Sequence, residues 1–135
     1  MRHHPPTLAE AVRYGVAGGG ALAVTIDEFL DVFYSENDAG NRQAMIDEEP
    51  PLLGVARDDA YVGAVGEHLA RRWGLRIPAW AASDDRDVAE PWFLGRMGNG
   101  LAGLLLVESP IAFRRRRIFT EAEPLRRARM PTDNV

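Results

Sequence analysis

Apolar residues in this chain recur mostly at helical spacing. Leu8, Ala11, Val12 and Gly15 share one helical face. Thr7-Leu8-Ala9-Glu10 in front of them has the spacing of a capping box, and Gly18-Gly19-Gly20 ends the helix behind them. Ile26, Phe29, Leu30 and Phe33 then follow at i, i+3, i+4 and i+7 behind a second capping box, Thr25 to Glu28. Asp27, Glu28 and Asp31 fall on the outer face, and acids in a first turn complement the helix dipole. Asn37 or Asp38 caps a weaker helix running to about Glu49, where Pro50-Pro51 breaks it. Asp58-Asp59 opens a longer helix through Trp73, with Val62, Val65, Leu69 and Trp73 as its inward stripe and Gly74 as its C′ stop.

The stretch Leu75 to Phe93, with two prolines and two tryptophans, reads as an ordered loop pinned to the core by Trp80, Trp92 and Phe93. Asn99 caps a helix from Gly100 to Glu108 that is apolar nearly all round, so it is expected to be central. Ser109-Pro110 offers an N-cap followed by Pro at N1, for a short helix to about Arg117. Thr120 to Glu123 gives a third capping box before Leu125 to Met130. Strand patterns are nearly absent, Ala21 to Val24 being the one exception. The expected fold is therefore all-α, a single small domain of five to seven mostly short helices over residues 7–130, behind a disordered tail of residues 1–6. Its core is Phe29, Phe33, Leu69, Trp73, Trp80, Trp92, Leu104, Leu105 and Phe119.

Composition narrows the picture. A length of 135 residues, 46% hydrophobic and 27% charged, suits one globular domain. The absence of cysteine removes disulfides, thiolate metal sites and cysteine nucleophiles. Met1 to Pro6 has no apolar segment behind it that would make a signal peptide, and Leu101 to Val107 is too short to cross a bilayer. A cytoplasmic protein without membrane contact is expected. All sixteen cations are Arg, which a GC-rich coding bias produces without functional selection. The net charge of −4 conceals an asymmetry: residues 1–90 hold 8 Arg against 16 acids, and residues 91–135 hold 8 Arg against 4. The basic half attracts either the acidic half or something else.

No catalytic constellation assembles. His68, on the flank of the 58–73 helix, has the chemistry of a general base or metal ligand, but no second ligand stands at i±3 or i±4. A packing role is the simpler reading. Asp84, Asp85, Asp87 and Glu90 lack the spacing and glycine of a calcium loop, and Arg86 sits among them. The glycines at 15, 18, 19 and 20 have no strand before them and no Lys-Ser/Thr after them, so they are not a phosphate loop. No catalytic, cofactor-binding or metal-ligating residue is assigned, no cofactor is expected, and the chain is read as a non-enzyme.

The conspicuous element is Phe113-Arg114-Arg115-Arg116-Arg117-Ile118-Phe119. Four consecutive residues sweep about 300° of a helix, so the arginines cannot form a single exposed face. At least one guanidinium must run beside Ile111 and Ile118 with its stem buried and its head paired. Internal pairing with the acidic half, an acidic protein partner and nucleic acid all stand open. Arginine runs supply phosphate contacts without sequence readout, and a pI near 5.4 argues against a dedicated nucleic-acid binder.

From about residue 45 onward the chain carries Glu67-His68-Leu69-Ala70, Gly74-Leu75-Arg76-Ile77-Pro78-Ala79-Trp80, Pro91-Trp92-Phe93 and Val107-Glu108-Ser109-Pro110-Ile111-Ala112-Phe113 running into the arginines. This resembles a C-terminal module of small bacterial proteins, often actinobacterial, where it commonly follows a helix-turn-helix domain in regulators or in antitoxin-like partners of a neighbouring toxin. Where those proteins have a full DNA-binding domain, this chain has about 40 residues with two glycine-separated helices, which argues against DNA binding. The resemblance implies a non-enzymatic binding module, an antitoxin-like partner or regulator, with Arg114, Arg115, Arg116 and Arg117 as partner-binding residues and a nearby-encoded toxin as the partner. The alternatives are a nucleic-acid-associated transcriptional regulator with a reduced DNA-binding part and, third, an unrecognised enzyme using His68.

Overall fold

The computed structural model describes residues 5–16, 21–88, 92–93, 109–120, 124–128 and 130–131. The protein is mostly helical, as the all-α expectation has it. Its contacts divide the chain into two compact units, one of Met1–Pro51 with Leu125–Val135 and one of Leu52–Pro124.

The first unit holds α1 (Leu8–Val16), α2 (Leu22–Ser35) and α3 (Ala39–Asp47). The Thr7 hydroxyl accepts from the Glu10 amide at 3.1 Å, the first half of the expected capping box. Leu8, Ala11 and Val12 are buried, with Ile26, Phe29, Leu30 and Phe33 of α2, and the rings of Phe29 and Phe33 meet tilted at 5.9 Å. Gly15 lets the chain of α2 come close, since a Cβ there would stand 3.3 Å from Thr25 Oγ1.

Three expectations for this unit are corrected. Residues 22–24 are the first turn of α2 rather than a strand, because four apolar residues carry no period of their own and the adjoining helix runs through them. Thr25 is consequently internal, and its hydroxyl donates to the Leu22 carbonyl at 3.0 Å instead of capping. Leu125 to Ala128, within the helix expected to run on to Met130, forms turns instead. Its polar groups are engaged by α2: Tyr34 Oη donates to the Leu125 carbonyl at 2.9 Å, and Arg127 grips both carboxylate oxygens of Asp31 at 3.0 Å. Asp38 caps α3 as expected, accepting from the Asn41 amide at 2.8 Å. Pro5, the first described residue of the expected tail, is buried.

The second unit is built on α4 (Ala56–Arg72), which buries Val62, Val65 and Leu69. It ends in a Schellman turn, with Gly74 at φ 73° and the Leu75 amide donating to the Ala70 carbonyl at 2.7 Å. The helix begins ahead of Asp58, and Asp59 instead holds the entering chain, its carboxylate accepting from the amides of Leu53 (2.7 Å) and Gly54 (3.2 Å). Two 3₁₀ turns, Ala79–Ala82 and Asp84–Arg86, order the loop that follows. Strand β1 (Trp92–Phe93) pairs in parallel with β2 (Ile118–Phe119), Trp92 opposite Ile118. The intervening helix α5 covers Ile111–Arg114, shorter than expected, and a turn follows in which Arg117 takes φ 63°.

Ser109 does not cap α5: its hydroxyl accepts from the Thr120 amide at 2.8 Å and donates to the Thr120 carbonyl at 3.0 Å, tying the two ends of the segment together. Trp80 is buried, whereas Trp73, Trp92 and Phe119 are half-buried. The expected helix of residues 100–108, with Leu104 and Leu105, lies outside the described residues, as do Gly18-Gly19-Gly20, Glu90 and Glu121 to Glu123. Among the described residues, no helix is long and apolar enough to cross a membrane.

Candidate functional site

One face of α4 lacks side-chain carbons at two positions one turn apart. A Cβ at Gly63 would stand 2.7 Å from Arg86 Cβ and 3.2 Å from Arg116 Nε; one at Gly66 would stand 2.6 Å from Trp80 Cη2. The bare backbone is thus a trough that receives Trp80, Arg86 and Arg116. The Arg86 guanidinium lies over the Trp80 ring, 5.2 Å from its centroid, and 3.9 Å from the Asp59 carboxylate.

Glu67, next to Gly66 and only 1% exposed, is the charged centre of this face. Its Oε1 accepts from Arg115 Nε at 2.8 Å and from Arg116 Nη1 at 2.7 Å. Its Oε2 accepts from Arg71 Nε, one turn along α4, at 2.7 Å. Arg116 is itself buried and spends its other donors on backbone carbonyls: Nε on Arg86 at 3.0 Å, Nη1 also on Ala112 at 2.7 Å, and Nη2 on Ala81. Burial pushes the Glu67 carboxyl up, and hydrogen bonds from Arg116, Arg71 and Arg115 more than offset it, leaving it below the usual carboxylate range. Arg116 is pulled below the usual arginine value by burial, against the bond to Glu67, and the neighbouring positive charge of Arg115 adds to the lowering.

The four arginines therefore have distinct surroundings. Arg114 is exposed. Arg115 is held by its Nε with its end in solvent, and Arg116 is locked inside. Arg117 donates to the Val88 carbonyl at 2.9 Å while its own carbonyl accepts from the Trp92 amide at 2.8 Å. The pairing of the basic segment with an acid from residues 1–90 is realised through Glu67, a residue the sequence did not single out. The signal that marks it is an acid within an apolar stretch, with Gly63 and Gly66 at i−4 and i−1 and Arg71 at i+4.

His68 is 7% exposed and meets the Phe113 ring edge-on at 5.6 Å, as a packing residue does. Asp84, Asp85 and Asp87 are exposed. Asp87 turns a carboxylate oxygen to the Val88 amide, and the amide of Asp85 donates to Ser83 Oγ. Among the described residues no group of three or more histidines and carboxylates is placed to hold a metal ion. A carboxylate held ionised by three guanidiniums is a poor proton carrier, and what this arrangement does chemically is orient cations. No family model matches the chain, and no match to it is found among curated proteins or solved structures.

Proposed function

We propose that this chain is a non-enzymatic binding module, an antitoxin-like partner or regulator, acting through the surface of its basic C-terminal segment on a protein encoded nearby. The observation that supports this reading is on α5, where Ile111 is 47% exposed and Arg114, one turn on, is exposed as well. An apolar side chain beside a solvent-facing guanidinium is the composition enriched where proteins meet. Of the four arginines first considered, Arg114 carries this reading most directly, because Arg116 is committed to internal bonds and Arg117 to the Val88 carbonyl. The nucleic-acid reading loses support because Arg116 and Arg117 are bonded internally, which leaves fewer of the four arginines for phosphate contacts.

Co-expression with the product of the adjacent gene tests the proposal. Native chain is expected to co-purify with that product, and Ile111→Ser/Arg114→Glu to co-purify at least about tenfold less while keeping its melting temperature, since exposed substitutions stay within about 0.5 kcal/mol. Equal co-purification of both chains overturns it.

A further inference from the structure

We propose that Arg71 and Arg115 together form a binding site for a dianionic phosphate monoester. Both guanidiniums are attached to the same carboxylate, and each through its Nε alone: Arg71 to Glu67 Oε2 and Arg115 to Glu67 Oε1. A guanidinium bound at Nε keeps its Nη1/Nη2 edge for a second, bidentate contact. The two side chains are 47% and 41% exposed, so these edges reach solvent. Among the described residues, no other acceptor engages either one.

Charge selects the ligand class. Three guanidiniums bind directly to one carboxylate, and of these Arg116 is sealed at 2% exposure with its remaining donors on carbonyls. Asp87 adds a weaker attraction to Arg116. The cluster therefore holds two positive charges more than its one carboxylate balances, an excess that a dianion matches. One guanidinium edge satisfies one carboxylate. Two guanidinium edges anchored on the same carboxylate match a phosphate monoester, which offers three acceptor oxygens and close to two negative charges. The buried anchor also removes much of the ordering cost, because both side chains are already held where the ligand needs them.

This site is separate from the protein-partner reading, whose residues Ile111 and Arg114 it does not use. Titration calorimetry of the full chain with phenyl phosphate tests it, with acetate as the monoanion control. Phenyl phosphate is expected to bind one to one with a dissociation constant below about 10 mM, and acetate at least tenfold more weakly. Arg71→Gln and Arg115→Gln are each expected to weaken binding about tenfold or more, the worth of a charged hydrogen bond, and to lower the melting temperature less than Arg116→Ala does, since each leaves Glu67 two arginines. Sedimentation with phosphatidylcholine vesicles containing phosphatidic acid, competed by phenyl phosphate, identifies the monoester as a lipid headgroup. Phenyl phosphate binding without sedimentation identifies it as a soluble ester. No saturable binding, equal binding by both variants, or acetate binding as tightly as phenyl phosphate each overturns the proposal.

Discussion

Replacing Arg116 by Ala strips the second unit of a side chain with four acceptors among the described residues. The native guanidinium bonds one carboxylate and three backbone carbonyls, those of Arg86, Ala112 and Ala81. A hydrogen bond to a charged group contributes about 1.5–3 kcal/mol, and a buried acceptor left without a donor costs about 1–3 kcal/mol. Glu67 keeps Arg71 and Arg115, and water entering the vacated space recovers part of the carbonyl loss. The low end of each range then applies, for a total of about 4.5 kcal/mol. Against a whole-domain stability of about 5–15 kcal/mol this brings the unit close to unfolding. All three tryptophans lie in this unit, so urea denaturation followed by tryptophan fluorescence reads it selectively. At a slope of about 1 kcal/mol/M the midpoint should fall by several molar. Arg114→Ala, at an exposed position, should leave it within about 0.5 kcal/mol of native. If Arg116→Ala unfolds within about 1 kcal/mol of the native chain, the inference that Arg116 is a structural tie is wrong.

Acid should destabilise the same unit. The folded Glu67 carboxyl lies below its unfolded value, so its stabilisation is present above about pH 4.3 and is lost as pH falls through the folded value. Glu67→Gln should lower stability at neutral pH and flatten that acid limb; an unchanged slope in the variant would remove Glu67 from the acid response. Gly66→Ala should cost about 1–3 kcal/mol by driving a methyl into Trp80, with a changed near-ultraviolet circular dichroism from the indole, and unaltered stability would refute the close packing of Trp80 on α4.

Much of the helical frame was legible because its signals are local. The Thr7 cap, the Asp38 cap, the α2 stripe and the Gly74 stop all rest on residues within a turn or two of each other. The failures are tertiary. Thr25 looked like a cap only because nothing in the sequence says that α2 extends a turn further back. Leu125 to Met130 looked helical because its partners, Tyr34 and Asp31, are some 90 positions away. The site was legible in one respect: one arginine of the run was expected to have its head paired inside, and Arg116 does, although the turn after Arg114 and not a continuous helix places it there. Its partner was not, because Glu67 meets Arg115 and Arg116 across 48 and 49 positions and no local spacing announces such a pair.

The bare face of α4 also bears on how the second unit comes to be folded. Gly63 and Gly66 sit inside the helix, where each glycine costs about 1 kcal/mol relative to alanine. Seventeen residues are only just enough for an isolated helix in water even from strong formers. Helix α4 is therefore not a preformed platform on which the rest assembles. Trp80 and Arg86 must arrive from beyond its C-terminus, and Arg116 from a further 30 positions along the chain, before the two glycines are covered. Contacts of that separation place this unit among the slower folders for an all-helical protein, with its helix and its cover gained or lost together.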